Sequence, residues 1–175
     1  MGFSLPPPIA AAAVALAMTC REHGIEWVAT GGVARALQGF DTTPGDLDVE
    51  VDEAACVRAA AALGLEARSA GGGTVTSVRA VGSWHGVALD MSGGVTVHGP
   101  GGHLHADFAV MRAFARRVVV DGQEIWAAPV EEQIARALVA GDGARLDRIA
   151  DERPSDFTLD DFYLAVRLAA ASASR

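Results

Sequence analysis

The sequence predicts an α+β domain, on three observations. The apolar, β-prone segment Ile25 to Thr30 runs directly into Gly31-Gly32 and then into a short helical stretch. Asp46 to Asp52 alternates strictly between acidic and apolar residues, the period-2 pattern of a half-buried strand. Asp121-Gly122 separates two short β-prone runs, a tight-turn signal, and Pro129 then opens a helical stretch closed by Gly141.

Composition bounds the remaining possibilities. The chain has 175 residues, 50% hydrophobic and 21% charged, which is too apolar for disorder. At this length a single domain buries roughly 70% of its unfolded surface, so one core suffices without disulfides or structural metal. The formal net charge of −8 disfavours DNA and anionic membrane surfaces as partners, because phosphate contacts need clustered cations. All 14 basic residues are Arg, which excludes a Schiff-base lysine or a Walker-type phosphate lysine. Cys20 and Cys56 have no pairing spacing and read as free buried thiols of a reducing compartment. The apolar run Ile9 to Met18 lacks a preceding Arg or Lys, follows Pro6 to Pro8, and is too short to span a bilayer. A cytoplasmic protein is expected.

Along the chain, Ile9 to His23 reads as an Ala-rich helix ended by Gly24, followed by the strand Ile25 to Thr30 and a helix from Val33 to Gln38. Asp52 is placed to cap a helix from Glu53 to Leu63. Gly71 to Gly73 reads as a loop, and Thr74 to Val81 and Gly86 to Met91 as hairpin strands joined through Gly82 to His85. Ser92 to His105 reads as irregular, and Ala106 to Arg117 fits helix or strand. After the hairpin Val118 to Ala127, helices are expected from Pro129 to Ala140 and over Ala144 to Asp151. Thr158 with Asp161 forms a capping-box pattern before a last amphipathic helix carrying Phe162, Tyr163, Val166 and Leu168. The expected organisation is a core over residues 1–128 with a C-terminal helical extension, 129–175, packed on it.

The chemistry-bearing constellation is the Gly31-Gly32 turn, then Asp46 and Asp48, then Asp90 inside the apolar strand Val87 to Met91. Residues i and i+2 of a strand share a face about 6.6 Å apart, so two Asp side chains can lean together on divalent cations. A third carboxylate on an adjacent strand would complete a site for two ions roughly 3.5 to 4 Å apart, suited to in-line phosphoryl displacement. Glycines at a strand-to-helix turn let backbone approach a triphosphate. For Asp90 three uses stay open: a hydrogen-bonded turn acid, a partner for an Arg, or the third metal carboxylate that also positions or deprotonates an acceptor hydroxyl, the use favoured here.

The stretch WVATGGVARALQGFDTTPGDLDVEVD resembles the nucleotidyltransferase superfold of the DNA polymerase β type, specifically its small bacterial members. VRAVGSWHGVALDM is similar to the hairpin that ends in the third metal-binding Asp in lincosamide and aminoglycoside nucleotidyltransferases. The Val-Val-Asp-Gly hairpin and the Pro129 helix resemble the C-terminal part of those enzymes and of the nucleotidyltransferase toxins of toxin-antitoxin systems. The resemblance spans about Gly24 to Ile134. It implies a mixed β-sheet flanked by helices and transfer of a nucleoside monophosphate from an NTP to an acceptor hydroxyl, with pyrophosphate released. By the same resemblance Gly31 and Gly32 line the triphosphate, Asp46, Asp48 and Asp90 hold Mg2+, and Asp90 is the catalytic candidate. The loop Asp41 to Gly45 lacks the Arg or Lys often found there, and the C-terminal helix lacks a Lys. Those departures favour the alternative of an inactive, nucleotidyltransferase-like binding or antitoxin-type module.

Other candidates read as structural. His103 and His105 could place two imidazoles together for zinc, but no Cys or third close ligand accompanies them, and His98, His103 and His105 are expected in a mobile loop. Arg112, Arg116 and Arg117 form a basic cluster in which Arg112 and Arg116 would share a helical face, expected to be solvated. Ser83 and Ser92 lack a base at motif spacing, Gly71 to Gly73 is not a dinucleotide fingerprint, and Trp27 and Trp126 are expected in the core. The acidic charge favours a small-molecule acceptor over RNA or protein.

Overall fold

A computed structural model describes residues 5–173. The elements are α1 (Pro7–Glu22), β1 (Trp27–Ala29), α2 (Gly31–Leu37), β2 (Leu47–Val51), α3 (Glu53–Ala62), β3 (Arg68–Gly72), β4 (Val75–Trp84), β5 (Val87–Gly99), β6 (Gly102–His105), α4 (Phe108–Phe114), β7 (Arg116–Val120), β8 (Gln123–Ala127), α5 (Val130–Ala140), α6 (Gly143–Glu152) and α7 (Asp161–Ala173). One mixed sheet runs in the order β3-β4-β5-β2-β1-β8-β7, with β6 added to the outer part of β5. β2 is parallel to β5 and β1 is parallel to β8. The expected mixed sheet flanked by helices is the architecture observed.

The apolar run at the start of the chain belongs to the core. Pro7 fits the first helical turn, where its missing N–H costs nothing, and Ile9, Ala12, Ala13, Leu16, Ala17 and Cys20 make a buried stripe at helical spacing. That stripe packs with Cys56, Ala59 and Ala60 of α3 and with the inward residues of β1, β2 and β5. Burial pushes the Cys20 thiol up to about 12, so it is an inert core thiol. No helix among the described residues is long and apolar enough to cross a membrane. On the opposite side, Val95, Val97 and Leu104 pack against Ala135 and Val139 of α5 and Ala171 of α7.

Several elements differ from the sequence reading. Ser92 to His105 is regular: β5 continues to Gly99 and turns into β6. The register against β4 shifts between Thr76 and Val78, where Gly94 has φ +62°, and one extra residue on β5 moves Val95 and Val97 from the cluster of Leu89 and Met91 to the one against α5 and α7. Buried positions alternate without a break from Val87 to Val97, and what hid the continuation was the Gly93-Gly94 pair, which reads as a break in a strand. Gly71 and Gly72 end β3, an edge strand with no buried residue and hence no apolar signal. β4 extends to Trp84, leaving only His85-Gly86 for the turn, both at positive φ. Ala106 to Arg117 divides into α4, capped by Asp107 accepting from the Val110 N–H at 3.1 Å, and strand β7. The α7 cap is Asp160, which accepts from the Tyr163 N–H at 2.9 Å, and not Thr158. The buried stripe of α7 is Tyr163, Arg167 and Ala171, with Phe162 and Val166 outside.

A buried chain of charges ties β2 to the C-terminal helices. Arg136 of α5 donates through Nη1 and Nη2 to Glu50 of β2 at 2.5 and 2.9 Å, and through Nε to Glu132 at 3.0 Å. Glu132 also accepts from Arg167 Nε at 2.7 Å and from the Tyr163 hydroxyl at 2.8 Å. Burial pushes the Glu132 carboxyl up, but Arg136, Arg167 and Tyr163 outweigh it and hold the group below its ordinary value. Arg136→Ala is expected to cost on the order of 3–5 kcal/mol in urea unfolding, because Glu50 and Glu132 remain buried without it. A loss under about 1 kcal/mol would show that these charges are not what fastens α5 to the sheet.

Candidate active site

The five residues singled out by the sequence line one cleft of about 870 Å³ between the sheet and helices α5 and α6. Parallel pairing sets Asp48 of β2 directly beside Asp90 of β5, on strands roughly 4.8 Å apart. Asp46 lies one residue before β2 and is exposed, so the strand is shorter than the acidic alternation predicts. Glu50, on the same acidic face, is buried and belongs to Arg136, not to solvent.

The turn beside them accepts only glycine at its first position. Gly31 has φ +55°, and a Cβ there would collide with the Asp48 carboxylate. At Gly32 a Cβ would come 3.3 Å from Pro44 Cβ, in the loop that covers the turn. α2 starts at Gly31 itself, two residues earlier than Val33. Three helices hold the turn in place. The Gln133 side chain of α5 donates to the Gly31 carbonyl at 3.1 Å, Arg35 of α2 donates to Gln133 at 2.7 Å, and Arg35 also pairs with Glu152 of α6 at 2.6 Å.

Three site residues escaped the sequence reading. Arg79 of β4 engages both oxygens of Asp90, with its Nε 2.7 Å from Oδ1. An Arg partner was one of the three uses open for Asp90. Arg145 and Arg148 of α6 line the helical wall of the cleft. Their i, i+3 spacing within Ala144 to Asp151 was the signal that could have found them. They supply cationic groups that the loop Asp41 to Gly45 lacks.

Internal pairing divides the charges in the cleft. Glu50 pairs with Arg136, Glu152 with Arg35, and Asp90 with Arg79. Asp46, Asp48 and Arg148 have no side-chain partner among the described residues, and Arg145 has only Asp142 at 3.9 Å. Two carboxylates on the sheet side thus face two guanidinium groups on α6. Burial, then the charges of Asp46 and Asp90, push Asp48 up to about 6.

The donor set suits magnesium in kind, since hard carboxylate oxygens converge and repel one another. In arrangement it is one step short. Among the described residues no group of three His, Cys, Asp or Glu side chains is disposed to hold a metal ion, and both Asp90 oxygens face Arg79.

The remaining candidates lie elsewhere. His98 and His103 face each other across β5 and β6, Nδ1 to Nδ1 at 2.7 Å, on a regular strand face and not in a loop. Arg112 stacks over Trp126, 3.5 Å from the ring centroid, while Arg117 pairs with Glu124 on β7 and β8, so the three arginines share no helical face. Trp27 is buried, and Trp126 is half-buried under Arg112.

The raised Asp48 value fixes a pH dependence. A carboxyl whose folded value lies above its ordinary 3.8 binds more protons in the folded state, so its contribution is fully favourable below 3.8 and is lost as pH rises through about 6. Asp48→Asn should therefore stabilise the metal-free protein above pH 6, on the order of 1–2 kcal/mol after allowance for solvent screening. The gain should shrink toward pH 4 in thermal melts of both proteins. A gain independent of pH would refute the carboxylate origin of the effect.

No family model matches the chain, and no curated protein matches it in sequence. Solved structures do. A protein from Thermotoga maritima, provisionally described as a nucleotidyltransferase, superposes with a TM-score of 0.69 at 18% identity, covering 86% of this chain and 97% of that one. The antibiotic-resistance factor ANT(2'')-Ia gives a TM-score of 0.49 at 13% identity, covering 94% of this chain and 83% of its own. An antigenic nucleotidyltransferase-like protein from Paracoccidioides brasiliensis gives 0.49 at 14%, with 98% and 90% covered. On the first of these matches, the chain has a nucleotidyltransferase-type fold.

Proposed function

We propose that the protein is a magnesium-dependent nucleotidyltransferase, moving a nucleoside monophosphate from an NTP to an acceptor hydroxyl. The observation that carries this reading is the charge pattern of the cleft: Asp46 and Asp48 unpaired on the sheet side, Arg145 and Arg148 on the helical side, and the Gly31 turn between. A metal-bound triphosphate carries the complementary pattern, a cation at the reacting end and anionic oxygens along its length.

Asp46, Asp48 and Asp90 are the residues that would hold magnesium, which when bound neutralises charge on the transferring and leaving phosphates. Gly31 and Gly32 leave room for the phosphate chain to approach backbone. Arg145 and Arg148 bind its outer oxygens, as planar guanidinium groups do. The acceptor oxygen attacks the α-phosphorus, the bond to the β-phosphate oxygen breaks, and pyrophosphate leaves with both electrons of that bond. Asp90, released from Arg79, takes the acceptor's proton. A small-molecule acceptor fits a net charge of −8 better than a nucleic acid does. A cytoplasmic setting, with abundant NTP, agrees with two free buried thiols.

One observation favours a second reading. The Arg79 pair on Asp90 is what an inactive module of this fold would carry, since it satisfies the third carboxylate without a metal. Calorimetric titration with each NTP in the presence of magnesium separates the two. The enzyme binds at least one NTP only with the divalent ion, and Asp48→Ala abolishes that binding while remaining folded. Absence of binding to any NTP at saturating magnesium favours the module.

Asp90→Asn should keep much of the NTP affinity and lose turnover, because Asn keeps the shape and one acceptor oxygen but not the basicity. Release of labelled pyrophosphate against a panel of hydroxyl acceptors measures this. Full turnover in the variant removes Asp90 from the proton transfer.

A further inference from the structure

Asp90 differs from Asp46 and Asp48 in having a partner. Arg79 reaches it from the neighbouring strand β4, two residues out of register, and presents Nε to Oδ1 and Nη2 to Oδ2. The pair does not serve burial: the side chains are 47% and 25% exposed, and an ion pair so wet contributes little to folding. Its effect is on the site. It neutralises the acid that would otherwise face Asp48 across the β2–β5 pairing, and the Arg79 charge acts on Asp48 as well.

We propose that Arg79 is the resident cation of the metal-free cleft, a positioning residue that keeps Asp90 oriented and must release it before a divalent ion can be held. The inference rests on the magnesium reading above and adds to it a competition between a side chain and the ion for the same two oxygens. The fork geometry matters to that competition. A guanidinium covers both carboxylate oxygens at once, whereas a lysine ammonium in its place supplies the same charge at a single point. Arg145 and Arg148 do not engage in this way: they stand on the opposite wall, and neither forms an ion pair with an acid of the sheet.

The test uses Mn2+ alone, without nucleotide, and reads free Mn2+ by its paramagnetic resonance signal in the wild-type protein, Arg79→Lys and Arg79→Gln. Thermal melts confirm that each variant is folded, as expected for a side chain half in solvent. Arg79→Gln should bind Mn2+ roughly three- to fivefold more tightly, the scale of one exposed ion pair. Arg79→Lys should lie between Gln and wild type, since it retains the charge and loses the fork. In the wild-type protein the Arg79 Nε–H resonance should shift on addition of Mg2+, which a purely structural role would not produce.

Lysine equal to wild type, with only glutamine tighter, would reduce the effect to general field and overturn the exchange. Equal or weaker binding in both variants would overturn it too, by showing that Arg79 does not compete. If no protein binds Mn2+, the magnesium reading itself falls and this inference with it. Binding of equal strength in all three leaves that reading intact and removes only Arg79.

Discussion

The guanidinium of Arg136 is the interaction on which the rest of the structure depends. It lies between Glu50 on β2 and Glu132 on its own helix, and Glu132 in turn holds Arg167 and Tyr163 of α7. A buried ion pair is weak evidence for stability, because desolvation offsets most of the attraction. Its consequence here is positional. Glu50 is two residues from Asp48 on the same face of the same strand, so fastening Glu50 to α5 fixes the distance between the carboxylate row and the helical wall of the cleft.

The same helix fixes the glycine turn. Gln133, one turn before Arg136, bonds the Gly31 carbonyl, and Arg35 completes the connection to Glu152 on α6. α6 is thereby held with Arg145 and Arg148 on the cleft. Asp48 presses on the turn from the other side, where any Cβ at Gly31 would meet its carboxylate. The turn, the acid strand and the arginine helix are therefore one mechanical unit, and each contacts α5 or a residue bonded to it. A substitution at Gly31 would act on Asp48 as directly as on a phosphate.

What the sequence revealed follows from which forces are local. The Gly31-Gly32 turn, the Asp46 and Asp48 strand, the Asp52 cap and the Gly141 stop are written in neighbouring residues and were legible. Asp90 was legible because an acid between Leu89 and Met91 demands a partner. The long β5 was not, since Gly93-Gly94 interrupts its apolar run in the middle, and β3 carries no buried residue to mark it. Arg79 and Arg145 were missed for another reason. Nothing near them in sequence needs a cation; their significance comes from β4 lying beside β5 and α6 folding back over β2, which are pairings across 11 residues in one case and about 100 in the other.

A chain with net charge −8 nonetheless builds a cleft in which three acids are neutralised by three arginines before any ligand arrives. Two of those pairs, Glu50 with Arg136 and Glu152 with Arg35, are shielded from solvent and fasten helices. The third, Asp90 with Arg79, is wet and fastens none. Exchange of partners is cheapest where water can replace the departing group, so the exposed pair is the one able to open while the frame stays closed. The sheet-side acids and the α6 arginines are left unmatched across the gap, and a ligand that brings positive charge to the first and negative charge to the second satisfies both walls at once. The fold separates the ion pairs that hold the site together from the one that stands in for its ligand.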